Sequence, residues 1–332
     1  MKRSVFLLLD RYPQMHETLS ECHAFIFEHA RLADALGFEA LWLAEHHFRH
    51  LGTVPNPAVM LAAIAKQTNR LRIGPAVSVL PYRNPVLVAE DYALLDLLSN
   101  GRLNMGVGCG SQQAEFAGLG IEFDNRWDTF HQNLAALREL WSGTKLNVAP
   151  CQRPAPPIYV ATTNEKNARA IGRQGDSVIT LLSPLAENLR DLSRLLDAHK
   201  QGLSEGGHCQ NHTEVVVALL AHIAPSDAQA QRHTIPALSR FLTMLSLDGS
   251  RAESIYRSMQ RAGSGCFGSP AHARETISKL QDIGVRHIAF ITRFGNLDAG
   301  AAHHALRQLA PGAEKAYRSD ASRRDGVYGM AQ

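Results

Sequence analysis

Cysteine is scarce in this chain of 332 residues: there are five, at positions 22, 109, 151, 209 and 266. The number is odd and no Cys-x-x-Cys pair occurs, which excludes a disulfide framework and the paired-ligand pattern of structural zinc. The nearest approach to a metal cluster, His208-Cys209-Gln210-Asn211-His212, lies beside Gly206-Gly207 and would need ligands from elsewhere, so no metal is expected. No apolar run reaches the length of a membrane span. Charge of one sign is not concentrated either: 34 Lys and Arg against 31 Asp and Glu give a net charge of +3, and the basic residues are interspersed with acidic ones. That pattern argues against nucleic acid as the main partner. The short apolar stretch after Met1-Lys2-Arg3 stops at Asp10 with no small-residue cleavage site, so a cytoplasmic location is expected. A Gly-x-Gly-x-x-Gly is also missing after the first predicted strand, where Asp10-Arg11-Tyr12-Pro13 stands instead. Its absence removes the dinucleotide fingerprint of a doubly wound open sheet.

What is present is an ordinary globular composition, 45% hydrophobic and 20% charged, enough to bury a large core in one domain with insertions. Periods of two and 3.6 alternate along the chain. Strands are predicted at 5–9, 40–44, 71–80, 103–107, 158–161, 177–181, 215–223 and 287–292. Helices are predicted at 19–36, 58–67, 86–98, 126–141, 165–173, 186–201, 227–245, 270–283 and 301–309. Gly37 closes the first of these, and Ser269 with Pro270 opens the eighth as N-cap and first helical residue. Eight strands alternating with helices predict an α/β fold, a TIM (β/α)8 barrel, with the open sheet as runner-up. Residues 246–267, with Gly249, Gly263 and Gly265 among several charges, are expected to be a mobile lid, and 318–332 a loose polar tail.

One segment carries most of the chemistry. An apolar strand over 40–44 ends abruptly in Glu45-His46-His47-Phe48, and in a parallel barrel the carboxyl ends of strands point into the site. Polar groups that would be costly in a core become available there to a ligand. A neutral imidazole suits proton abstraction or donation near neutrality, while a His pair held by buried hydrogen bonds is the alternative. Phe6 on the first strand, and Ser111, Gln112, Glu115 and Phe116 after the fourth, are expected to face the cavity, although Glu115 reads equally as a solvated acid at a helix start.

These pieces resemble the bacterial luciferase-like, flavin-dependent monooxygenases over most of the chain. The resemblance rests on Leu36-Gly37-Phe38 through Phe48, Ile73-Gly74 through Val79-Leu80-Pro81, and Asn84-Pro85-Val86 with Ala89-Glu90-Asp91. It continues in Leu95-Asp96, Ser99-Asn100-Gly101-Arg102 and Gly106-Val107-Gly108, and it places the barrel over 1–317. It implies an enzyme that takes reduced FMN as cosubstrate and, with O2, forms a flavin hydroperoxide that oxidises a small organic substrate. With no nicotinamide fingerprint in the chain, the reduced flavin is expected from a separate reductase.

The resemblance implies His46 as the catalytic residue, with His47 and Glu45 orienting it or lining the flavin and substrate pocket. It implies a flavin ring on Ala76 and Val77, whose peptide bond is cis in relatives, with Gly108 and Ala161 nearby. Many relatives carry Arg where this chain has Cys109, and a thiol cannot fork onto a phosphate. Phosphate contacts then fall to Thr163, Asn164 and Asn167 at a strand-to-helix turn, with Lys166 adding charge, and weaker flavin binding is predicted. A homodimer through faces at 24–36 and 58–65 is implied by analogy. Two other functions remain open: a deazaflavin-dependent hydride transferase of the same superfamily, and a non-catalytic flavin-binding protein.

Overall fold

Strand sequences that are apolar on both faces, joined by helices with one apolar stripe, can bury themselves only as a parallel sheet covered by helices. The computed structural model describes residues 1–313 except 9, 49–52 and 144, so the expected tail at 318–332 lies outside the described residues. In chain order the first half comprises β1 (Lys2–Leu7), α1 (Leu19–Leu36), β2 (Ala40–Leu43), α2 (Pro57–Ala65), β3 (Arg72–Pro75), β4 (Ser78–Val79), α3 (Pro85–Leu98), β5 (Met105–Gly108), α4 (Gln113–Leu119) and α5 (Arg126–Ser142). The second half comprises β6 (Ile158–Ala161), α6 (Glu165–Arg173), β7 (Ser177–Leu181), α7 (Arg190–Glu205), β8 (Val215–Ile223), α8 (Asp227–Met244), α9 (Ala252–Ala262), β9 (Cys266–Gly268), α10 (Pro270–Asp282), β10 (His287–Ile291) and α11 (Ala299–Gln308).

The strands pair in the order β3-β2-β1-β10-β8-β7-β6-β5-β4, with β9 attached to the end of β8. Ring closure comes from the third strand. It is split into β3 and β4 by the cis Ala76–Val77 peptide; Ile73 of β3 bridges Leu103 while β4 pairs with β5. All eight predicted strands therefore take part in a nearly closed barrel, and the open-sheet alternative is overturned. Side chains alternate between two apolar clusters. Val5, Leu7, Leu41, Leu43, Val217 and Leu219 join helix residues such as Phe25 and Leu61 in one. Phe6, Ala40, Trp42, Val216, Ala218 and Ala289 form the barrel interior, the other. Small and large inward residues fill the barrel and leave the strand ends for a site.

Local chemistry accounts for the element ends. Thr18 and Glu21 form a capping box at α1, and Gly37 at φ 79° closes it from the left-handed region. Ser269 occupies the N-cap of α10 as expected, but its side chain makes no cap bond; its N–H instead donates to Asp227 Oδ1 at 2.6 Å. The helix expected from 186 starts at Arg190, after turns at Ser183 and Asn188 whose side chains accept from Leu185 N and Arg190 N. The segment expected as a mobile lid contains regular structure: α9 buries Ile255, Tyr256 and Met259, and β9 buries Phe267, all in the interior cluster. Gly263, at φ 75°, is the C-cap of α9.

The faces expected to pair, at 24–36 and 58–65, differ in burial. Phe25, Ile26, Ala30 and Ala33 of α1 are buried in the core. Large exposed apolar side chains occur on α2, at Val59 within 58–65, and on α3, at Val86, Leu87, Leu94, Leu97 and Leu98.

Candidate active site

At the carboxyl end of β2 the chain leaves the barrel through Glu45, His46 and His47, and three elements converge on these groups. Glu45 is buried; its Oε2 accepts from Val79 N at 3.0 Å and its Oε1 lies 3.3 Å from His47 Nε2. Glu45 therefore fastens β2 to β4 and holds His47. The group that holds His46 comes from α4. Glu115 Oε1 lies 2.9 Å from His46 Nδ1 and also accepts from His47 N at 3.2 Å, while Glu115 Oε2 accepts from Tyr82 OH at 3.0 Å.

Glu115 is only 2% exposed, so the reading of a solvated helix-start acid is wrong; the short helix α4 folds it inward, towards the cavity side also expected of it. Burial pushes its carboxyl up, but hydrogen bonds from His46, His47 N and Tyr82, together with the His46 charge, outweigh burial and leave it below the usual range. An ionised Glu115 only accepts, so Nδ1 of His46 donates to it and Nε2 is the ring nitrogen left to face the site. The His46 side chain is 20% exposed, and no hydrogen bond reaches its Nε2 among the described residues. Burial, with the Glu115 charge and hydrogen bond, holds the Tyr82 phenol well above its ordinary range. The Tyr82 ring packs edge-on against both His47 and Phe116.

The neighbouring strand ends are lined with small residues. Ala76, Val77 and Ala161 pack half-buried against the interior cluster. Gly108 follows; a Cβ there would meet Val77 Cγ2 at 2.6 Å, so only glycine leaves this shelf open. Phe6 sits in the interior cluster below. Ser111 is exposed and Gln112 is half-buried at the N-cap of α4 without a side-chain cap bond. Phe116 is fully buried between Tyr82 and Phe123, a core residue rather than the cavity-facing one expected.

At the β6-to-α6 turn, Asn164 caps the helix by accepting from Asn167 N at 3.1 Å, and Thr162 Oγ1 accepts from Asn164 N at 3.1 Å. Thr163 and Lys166 are exposed beside the first turn. Cys109 is half-buried, and burial raises its thiol pKa against the opposing pull of the Arg126 guanidinium. Arg126, which the sequence reading did not consider, stacks over Phe123 at 3.8 Å and acts electrostatically on Cys109. Cys109, Ala161 and Asn167 share a groove of about 370 Å³ that continues between α5 and α6; His46 does not line it.

The chain has the parallel (β/α)8 architecture, whose enzymes gather their reacting groups at the carboxyl ends of the strands, where His46 and Glu115 meet. The comparisons give the family: the luciferase-like monooxygenase model matches residues 1–287, and the chain belongs to that family, whose members are oxidoreductases. It is similar to the oxygenase component of the flavin-dependent trigonelline monooxygenase of Acinetobacter baylyi, 25% identical over 246 residues, 70% of this chain and 67% of that protein. It is also similar to the F420-dependent glucose-6-phosphate dehydrogenase of Amycolatopsis mediterranei, 27% identical over 249 residues, 69% of this chain and 73% of that protein. Among solved structures, the monooxygenase RslO1 of Streptomyces bottropensis matches with a TM-score of 0.86 at 23% identity, covering 93% of this chain and 98% of that one, which shows the fold. Relatives thus use flavin or the deazaflavin F420.

Proposed function

We propose that this chain is the oxygenase of a two-component flavin-dependent monooxygenase, taking reduced FMN from a separate reductase and using O2 to oxidise a small organic substrate. The observation that carries the reading is His46, fixed through Nδ1 by buried Glu115 and left with an unengaged Nε2 beside the small-residue shelf. The residues present fit FMN: Gly108 admits no Cβ, Ala76, Val77 and Ala161 are small or half-buried around it, and the N-terminus of α6 offers N–H groups to an anion. When bound, the flavin would supply the oxidising chemistry.

The chain's own groups do the rest. His46 accepts or donates a proton at Nε2, Glu115 holds its ring, and Glu45 keeps His47 in place at the pocket wall. Phe6, His47, Ser111 and Gln112 line the substrate side. Thr163, Asn164 and Asn167 hold the phosphate, with Lys166 and Arg126 supplying charge in place of an arginine at position 109. The trigonelline relative, an oxygenase component, supports a separate reductase. The apolar face of α2 and α3 supports a homodimer.

The test supplies reduced FMN from an added flavin reductase under oxygen-18 gas, with a panel of aldehydes, amines and sulfides. Incorporation of labelled oxygen is expected. Turnover that needs reduced deazaflavin and proceeds without oxygen would overturn the reading in favour of hydride transfer.

A further inference from the structure

The groove between α5 and α6 is open because α6 is drawn to its other neighbour. Glycines set that spacing: a Cβ on Gly172 would collide with His199 O, and one on Gly202 with Arg169 O, so α6 packs backbone to backbone on α7. On the α5 side no such contact forms, and about 370 Å³ remains, within the range of roughly 300–1,000 Å³ typical of small-molecule sites. The groove begins at Cys109, Ala161 and Asn167, where the phosphate of a bound flavin would end. Cys109 is short and uncharged at neutrality, so it does not close that end as an arginine would. Trp127, 42% exposed, stands on one wall near the mouth, followed along the same helix by His131 and Leu134. The far end is closed by Arg138 and Asp176, paired with each other.

We propose that this groove is a nucleoside site continuous with the flavin site, so that the chain takes FAD as well as FMN and holds the adenosine half between α5 and α6. The inference rests on the flavin reading above. An exposed indole and an imidazole on an otherwise apolar wall suit a stacked base, because every base offers a π-face to an aromatic ring. Asn167 and Gln174 offer amide groups to its edge and ribose. The N-terminus of α6, which carries Asn167 of the groove lining, offers N–H groups to the second phosphate, and the Arg126 charge that acts on Cys109 favours an anion there. A tail of several carboxylates, by contrast, would enter an apolar groove whose cation is already paired with Asp176, which disfavours an oligoglutamyl deazaflavin.

The test measures dissociation constants of FMN, FAD and AMP by anaerobic fluorescence titration for the wild-type chain, Trp127→Ala and the groove-filling Ala170→Phe. FAD is expected to bind at least about tenfold more tightly than FMN, a difference of about 1.4 kcal/mol. Trp127→Ala should erode that preference, and Ala170→Phe should abolish it and AMP binding while leaving FMN affinity unchanged. FAD binding no tighter than FMN, or a preference that survives Ala170→Phe, overturns the nucleoside site and leaves the flavin reading standing. Failure of the wild type and both variants to bind FMN and FAD alike overturns both.

Discussion

The barrel carries an imidazole–carboxylate pair at each end, and the two are built for opposite purposes. At the carboxyl end, His46 meets Glu115 with its ring 20% exposed and Nε2 unengaged among the described residues. At the amino end, His287 is fully buried: its Nε2 lies 2.6 Å from Ser4 Oγ, and its Nδ1 lies 3.2 Å from Glu214 Oε2, at ion-pair range though not aligned as a hydrogen bond. Tyr159 OH donates to Glu214 at 2.8 Å and Lys2 lies 3.1 Å from it. The lower pair thus ties β1, β6, β8 and β10 together and has no nitrogen to offer a ligand. The same two residue types form a fully buried tie at one end and, under the proposed function, a reactive site at the other where Nε2 is unengaged, in line with the division between barrel faces.

Substitutions at the two ends should separate activity from stability. His46→Ala should reduce turnover about 10²–10⁴-fold, the usual worth of general acid–base catalysis, with the thermal midpoint nearly unchanged; a large drop in melting temperature by circular dichroism would make it a tie like His287. Glu214→Ala should do the reverse, lowering unfolding free energy by about 3–5 kcal/mol by leaving His287 buried and unpaired. Urea unfolding measures the loss, and turnover per folded molecule should stay within about twofold. Glu115→Gln should fall between, lowering kcat about tenfold to a hundredfold with flavin affinity unchanged, because the ring of His46 loses its anchor rather than its chemistry.

Acid separates the carboxylates more gently. Burial opposes ionisation of Glu214, but His287, Tyr159 and Lys2 bring it down to about 2, against 4.5 when unfolded. Its contribution is present above about pH 4.5 and lost as pH falls towards 2, so Glu214→Gln should flatten that limb of the stability curve. Asp176 runs the other way. Burial raises it to about 6 despite the Arg138 partner, so its effect favours the fold below pH 3.8 and is lost as pH rises through 6. Asp176→Asn should remove the smaller decline in thermal midpoint between pH 4 and 6.

The same comparison explains what the sequence could convey. Glu45 and His46 are legible because an apolar strand and its polar terminus are adjacent in the chain. Glu115 is 69 positions from His46 in the chain, on a seven-residue helix too short to show a period, so only the folded chain reveals their contact. The strands were legible because burial on both faces leaves unbroken apolar runs. Helix α9 was not, because the glycines around it read as mobility, whereas Gly263 is its C-cap. An apolar stripe reads the same in sequence whether it faces a core, as in α1, or solvent, as in α3.

The most direct test is anaerobic titration of the wild-type chain, His46→Ala and His287→Asn with reduced FMN, followed by admission of air and a record of flavin reoxidation. The account predicts that all three bind reduced FMN, and that the wild type and His287→Asn share one reoxidation course, distinct from free flavin, which His46→Ala loses. Failure of the wild type to bind, or a course that survives His46→Ala and disappears in folded His287→Asn, would contradict it.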